Sequence, residues 1–216
     1  MKKITIITGH YGTGKTNISV NLAMELAKKK QRVTVVDLDI VNPYFRTADF
    51  DELFSENGVN LIKPMYANSN LDIPAISFDL EELASQEGYL IIDVGGDDAG
   101  AIALGRYCEA LMQYADDLDM LYVVNCYRFL THEPEEALEL MYEIETASRM
   151  KHTGIINNSN LGLETSLEHV QASVKFADVI SQKTGLPIVF TTCTSRIHDT
   201  ADFKKVDIYV KPLWEA

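Results

Sequence analysis

GHYGTGKT, Gly9 to Thr16, follows the apolar run KKITIIT and fits the pattern G-x-x-x-x-G-K-[ST] at every fixed position. The pattern has a physical meaning. Glycines let successive backbone N–H groups turn inward around an anion. Lys15 brings positive charge to the β/γ-phosphates of a nucleotide, and the hydroxyl of Thr16 is a ligand for Mg²⁺. The candidate phosphate cradle is therefore Gly9, His10, Tyr11, Gly12, Thr13, Gly14, Lys15, Thr16 and Asn17. The flanks agree. Ile4, Ile6 and Ile7 predict a buried strand over Lys3 to Thr8, and Lys15 to Lys30 reads as a helix with its N-terminus aimed at the phosphates. A Gly-rich turn with Lys15 as a solvated lysine accounts for none of this spacing. It also puts a cation at the helix end whose dipole disfavours it.

Outward from this loop, strands and helices alternate. Arg32 to Ile40, Val59 to Pro64, a run from Tyr89, Met120 to Asn125, Gly154 to Asn160 and Leu186 to Thr192 read as strands. Helices are predicted over Asp79 to Glu87, stopped by Gly88, over Ala101 to Tyr114, and from Pro134 to Met150. Another runs from a capping box of Thr165 and Glu168 to about Lys183. The stretch ending at Gly58 is a loop with short helical pieces. The tail predicts a short helix and an edge strand, with Phe203, Ile208, Tyr209 and Trp214 as packing residues. The strands are apolar with little alternation, so both faces are covered. The expectation is an α/β, three-layer P-loop NTPase fold: a mainly parallel central sheet flanked by helices, with residues 1–216 as a single nucleotide-binding domain.

In such sheets, ligands sit beyond the carboxyl ends of the strands. Gly9 to Thr16, Asp37 with Asp39, Asp93 to Asp98 and Asn157 with Asn158 all fall at that edge. Asp37 and Asp93 each end an apolar run, where a carboxylate is costly unless a cation or hydrogen bonds compensate it. Mg²⁺ with a nucleotide supplies that compensation, and Asp93 holds the usual position for a carboxylate that binds Mg²⁺ through water. Asp39 either orients water or forms a turn into Asn42-Pro43. Gly95 and Gly96 allow close approach to a γ-phosphate. Asp97 and Asp98 are open between water positioning and solvated turn residues.

The composition narrows the function classes. A formal charge of −13, from 19 basic and 32 acidic residues, argues against direct nucleic-acid binding through bulk electrostatics. No stretch approaches the ~20 apolar residues of a membrane span, and the first strand leaves no room for a signal peptide. Cys108, Cys126 and Cys193 form no C-x-x-C pair, so neither an iron–sulfur cluster nor a zinc site is expected. A reducing, cytoplasmic setting fits.

GHYGTGKTNISVNLAMELA, VVDLDIVNPYF and LIIDVGGDDAG together resemble the ParA/MinD/Mrp family of P-loop ATPases, the group that includes the nitrogenase iron protein. The resemblance implies that Thr16 and Asp37 hold Mg²⁺ directly and Asp93 holds it through water. It implies that Gly96 senses the γ-phosphate. It makes Asp39 the water-activating carboxylate on the ParA/MinD pattern, and Asp97 on the iron-protein pattern. GIINNSN resembles the strand that presents a purine-contacting Asn, aligned with Asn158, and the nucleotide is ATP by the same resemblance. Where the family carries a signature lysine, this chain has His10, a short group with a pKa near 6.5. That substitution weakens the case for a nucleotide-sandwich dimer.

The expected function is that of a cytoplasmic, Mg²⁺-dependent ATPase with slow basal turnover, with Lys15 and either Asp39 or Asp97 as its catalytic groups. It would act as a nucleotide switch on an unidentified protein partner, a homodimer staying open. Two alternatives remain: a small-molecule kinase or ligase like the dethiobiotin and cobyrinic-acid amidating enzymes, with Tyr44, Arg46 and His10 lining the acceptor pocket, or a module that binds ATP without turnover.

Overall fold

The computed structural model describes residues 1–39, 47–63, 80–198 and 201–210. In chain order they form β1 (Ile4–Thr8), α1 (Lys15–Lys28), β2 (Val33–Leu38), α2 (Asp51–Glu56), β3 (Val59–Ile62), α3 (Leu80–Ser85), β4 (Tyr89–Val94) and α4 (Asp98–Gly105). They continue as α5 (Cys108–Met112), β5 (Leu118–Val124), α6 (Pro134–Ser148), β6 (Gly154–Asn157), α7 (Leu167–Thr184), β7 (Ile188–Thr194) and β8 (Lys204–Val206). The strands make one sheet in the order β3-β2-β4-β1-β5-β6-β7-β8, and the pairings are parallel. This is the expected three-layer α/β architecture.

The apolar strands explain the layers. In β1 and β2 every residue is buried. Ile7, Val33, Val35 and Ile91 pack with Ile18, Leu22 and Leu26 of α1 on one face. Ile4, Ile6, Leu38, Leu90 and Ile92 pack with Leu104 and Leu111 on the other. Tyr122, Val124 and Ile155 meet α6 and α7 through Leu138, Met141 and Ile180. Each fully buried side chain of this size contributes about 1.5–3 kcal/mol.

Two local expectations are corrected. Ala101 to Tyr114 is not one helix but α4 and α5. A methyl on Gly105 would lie 2.7 Å from the Ala147 carbonyl oxygen, so α4 crosses α6 backbone to backbone. The guanidinium of Arg149, a left-handed residue at φ 60°, donates to the Gly105 carbonyl. In a continuous helix that carbonyl would accept from the N–H four residues on. The α7 cap also lies one residue later than Thr165–Glu168. Ser166 accepts from the His169 N–H, and the His169 ring accepts from the Ser166 N–H. Thr165 instead closes the preceding turn, donating to Gly162 O at 2.7 Å and accepting from Leu161 N.

The tail adds β8 to the sheet edge and then runs along α1. Asn17 and Asn21 both donate to Asp207 O, and Asn17 Oδ1 accepts from the N–H groups of Tyr209 and Val210. Tyr209 stands edge-on to Phe50, as a packing residue should. No tail helix occurs among the described residues, and Trp214, Tyr44 and Arg46 lie outside them. No helix of the described residues is long and apolar enough to cross a membrane.

A buried polar chain supports β1 from behind. Thr8 Oγ1 lies 2.8 Å from His152 Nε2, His152 Nδ1 lies 3.2 Å from Glu145 Oε1, and Lys151 reaches Glu145 Oε2 from the surface. Burial lowers the His152 pKa below its ordinary 6.5 against the pull of Glu145. Burial also pushes the Glu145 carboxyl up, but hydrogen bonds from His152 and Lys151 outweigh it and bring the pKa down to about 2. Below pH 6.5 the unfolded chain therefore takes up a proton that folded His152 refuses, and stability falls with pH. A second loss follows between pH 4.5 and about 2, as the unfolded glutamate protonates before Glu145 does. His152→Gln should flatten the first decline, shrink the second because the imidazole helps to hold Glu145 down, and cost about 1–3 kcal/mol at neutral pH. Urea unfolding across a pH series measures this; an unchanged slope below pH 6.5 overturns it.

Candidate functional site

The loop from Gly9 to Gly14 turns on three glycines in the left-handed region, with φ of 144° at Gly9, 78° at Gly12 and 90° at Gly14. It braces itself through one carbonyl. His10 O accepts from Thr13 N, from Thr13 Oγ1 at 2.8 Å and from Lys15 Nζ at 3.2 Å. Lys15 is buried, which lowers its pKa, while Asp93, Asp39 and Asp97 pull it back up. An ammonium held out of water beside this loop is placed to receive a polyanion. The His10 imidazole is pushed below its ordinary pKa by burial and then by Lys15.

Asn158, just past β6, meets the loop from the other side. Its amide donates to Thr13 O at 2.8 Å and accepts from Thr192 Oγ1 at 2.7 Å. Its nitrogen occupies the space where a side chain on Gly14 would begin, so glycine is required there. The expected purine-contacting residue is thus also a brace for the loop, with a second N–H left for another acceptor. The side chain of Asn17, by contrast, is taken up by the tail at Asp207 to Val210, which leaves its backbone N–H as its contribution to a phosphate site.

The acidic strand ends converge as topology requires. Asp93 pairs in register with Ile7 on one side and with Asp37 on the other. Its two oxygens accept from Thr16 Oγ1 at 2.8 Å and Ser19 Oγ at 3.1 Å. Burial, then the Asp37 charge, push the Asp93 pKa up to about 7, over the opposing pull of Lys15 and the two hydroxyls. Two buried carboxylates facing each other are what a divalent cation relieves. The oxygen-only set of Thr16, Asp37 and Asp93 suits a hard ion such as Mg²⁺. Among the described residues no three His, Cys, Asp or Glu side chains gather as a metal site. Such an ion would therefore rely on the hydroxyl, water and phosphate oxygens as well. Ser19 and Thr192 escaped sequence reading. Ser19 had a signal, since it lies one helical turn after Thr16 on the same face of α1.

Asp39 and Asp97 come from different strand ends and meet across one residue. A methyl on Gly95 would lie 3.2 Å from Asp39 Oδ1 and 3.3 Å from Asp97 Oδ1. Asp97 is neither a bare turn residue nor fully available. It is the N-cap of α4, accepting from the Gly100 N–H at 3.0 Å. The Asp39 N–H donates to Asp37 Oδ1 at 2.9 Å, a turn closed by Asp37; the expected turn from Asp39 into Asn42-Pro43 lies outside the described residues. Gly96 lies against the loop: a methyl on it would sit 2.6 Å from Lys15 Nζ and 2.7 Å from Tyr11 N. Only glycine permits that approach.

The chain is similar to known proteins. The chain is 31% identical over 132 residues to an uncharacterized ATP-binding protein of Methanocaldococcus jannaschii, an alignment covering 57% of this chain and 43% of that protein. Among solved structures it resembles the cell division protein FtsY of Thermotoga maritima, with a TM-score of 0.61 and 18% identity over 94% of this chain and 64% of that one. It also resembles a nucleotide-binding protein of Archaeoglobus fulgidus in complex with ADP, with a TM-score of 0.50 and 16% identity over 88% of this chain and 81% of that one. These structural likenesses are likenesses of fold. The chain spans less than half of the archaeal relative and under two thirds of FtsY. The profile of the CobQ/CobB/MinD/ParA nucleotide binding domain matches residues 4–187, most of the sequence, and the chain belongs to that family.

Proposed function

We propose that the chain is a Mg²⁺-dependent ATPase whose hydrolysis switches its hold on a protein partner. The observation that carries this reading is the meeting of Lys15, the Thr16–Asp93 pair, Asp37, Asp39 and Asp97 at one end of a parallel sheet. Backbone amides of the glycine loop and the Lys15 ammonium hold the β- and γ-phosphates. Thr16, Asp37 and Asp93 would hold Mg²⁺, with Asp93 acting through water on the family pattern. When bound, Mg²⁺ neutralises charge that develops on the phosphate oxygens. Asp39 or Asp97 orients the attacking water. Gly96 rests on Lys15 and Tyr11, so an incoming γ-phosphate bears on the β4–α4 turn and can move it.

ATP is favoured by the family resemblance and by the likeness to the ATP-binding protein of Methanocaldococcus jannaschii. A single nucleotide-binding domain over residues 1–216 fits the family match to residues 4–187. A cytoplasmic home fits three cysteines that are free and unpaired. Calorimetry with ATP, with and without Mg²⁺, and a phosphate-release assay test the reading. Tight binding should require Mg²⁺ and fall on adding EDTA. Turnover alone should be slow, on the order of 10⁻² s⁻¹ or less, as in switches that await a partner. No ATP binding sinks the proposal. Unassisted turnover of about 10 s⁻¹ or more sinks the switch.

A further inference from the structure

The turn after β5 is built around a single side chain, Asn125, which is fully buried. Its Oδ1 accepts from the N–H groups of Tyr127 and Asn160. Its carbonyl accepts from Thr131 Oγ1 at 2.9 Å and from the Arg128 N–H at 3.2 Å. Ser159 holds Cys126 N, the Tyr127 hydroxyl donates to His169 O, and the His132 ring contacts Cys126 O. Within this frame Leu130 is forced to φ 69°, where a residue with a side chain stays only if its surroundings hold it. Phe129 is left 89% exposed. So the turn is not shaped to bury its apolar tip.

It does hold Arg128 against the phosphate loop. A methyl on Gly12 would lie 3.7 Å from Arg128 Cδ and 3.8 Å from Nε, so the stem of the arginine crosses the loop at this residue. The guanidinium itself is exposed, and among the described residues it makes no hydrogen bond or ion pair. Gly12 lies inside the ring of amides that cradles an anion. A guanidinium just beyond it stands at the mouth of that ring, with planar donors suited to phosphate oxygens. Lys15 and Arg128 are thus two cations that the structure sets against the loop, one buried beneath it and one at its rim. In a chain of formal charge −13, such local positive charge is what a nucleotide polyphosphate needs in order to approach.

We propose that Arg128 is a phosphate-contacting residue, a cation supplied by the same chain that closes on the terminal phosphates from the side opposite Lys15. This rests on the nucleotide-binding reading above. Calorimetry on the full chain with MgATP and MgADP tests it in Arg128→Ala, Arg128→Lys and Phe129→Ala. Arg128→Ala should raise the Kd for MgATP about tenfold, as losing one charge-assisted contact does, with a smaller change for MgADP. Arg128→Lys should recover part of the loss, because charge remains without the planar fork. Phe129→Ala, in the same turn, should bind as the wild type does. The inference is overturned if wild-type protein binds MgATP and Arg128→Ala binds it within about twofold. It is equally overturned if Phe129→Ala weakens binding as much, for then the turn and not the charge matters. If wild-type protein binds no MgATP, the nucleotide reading itself has failed, and this inference fails with it.

Discussion

Lys15→Ala should lower the affinity for MgATP by about thirtyfold or more, while the protein stays folded. The ammonium is buried, and it lies among Asp93, Asp39 and Asp97. Facing several phosphate charges there, it would make a charge-assisted contact shielded from water. Losing such a contact costs roughly 2–5 kcal/mol. Folding is buffered because the substitution has opposed effects. It removes a buried charge whose desolvation is unfavourable, and it strips a neutralising neighbour from three carboxylates. Calorimetry gives the affinity and thermal unfolding gives the stability. Wild-type affinity in a folded Lys15→Ala protein would remove the basis for reading Gly9 to Thr16 as a phosphate cradle.

The parts legible in the sequence were those whose physics is local. The spacing of Gly9, Gly14, Lys15 and Thr16 and the apolar run before it required a strand, a tight loop and a helix in that order. Apolar runs ending in Asp37 and Asp93 placed both carboxylates at one sheet edge, and the parallel register then put them opposite each other. What stayed hidden depends on packing between distant segments. The break after Gly105 comes from Arg149 and the close crossing at Ala147, 42 or more residues away, which no helix pattern encodes. The Thr8–His152–Glu145 chain joins residues 144 positions apart at its first link. Arg128 carries no motif, and its place over Gly12 follows only from how Asn125 folds its turn. The shift of the α7 cap from Thr165 to Ser166 is subtler. Both are good capping residues, and the turn at Gly162 decides by engaging Thr165 first.

The choice between the two carboxylates beside Gly95 is the other large effect. Both Oδ1 atoms lie at nearly the same distance from that residue, so proximity to the site does not separate them. Their hydrogen bonds differ. The Asp97 oxygen that faces Gly95 is the same Oδ1 that caps α4 at Gly100 N. A general base needs an oxygen aimed at water, and this one already accepts a hydrogen bond from a backbone N–H. The Asp39 N–H donates to Asp37 Oδ1 and the Asp39 charge acts on Lys15, so both carboxylates are engaged, and the ParA/MinD pattern decides the expectation. Asp39→Asn should therefore slow hydrolysis by ~10²-fold or more while MgATP binding survives, as expected when a positioned base is lost. Asp97→Asn should retain α4, because asparagine caps a helix about as well as aspartate. Its turnover should fall far less. Single-turnover phosphate release with saturating MgATP measures both, and calorimetry checks that each variant still binds. If Asp97→Asn abolishes turnover and Asp39→Asn does not, the cap residue positions the water and the assignment is reversed. If both variants release phosphate at the wild-type rate, neither carboxylate is the base, and whatever hydrolysis occurs draws its water-positioning group from outside this pair.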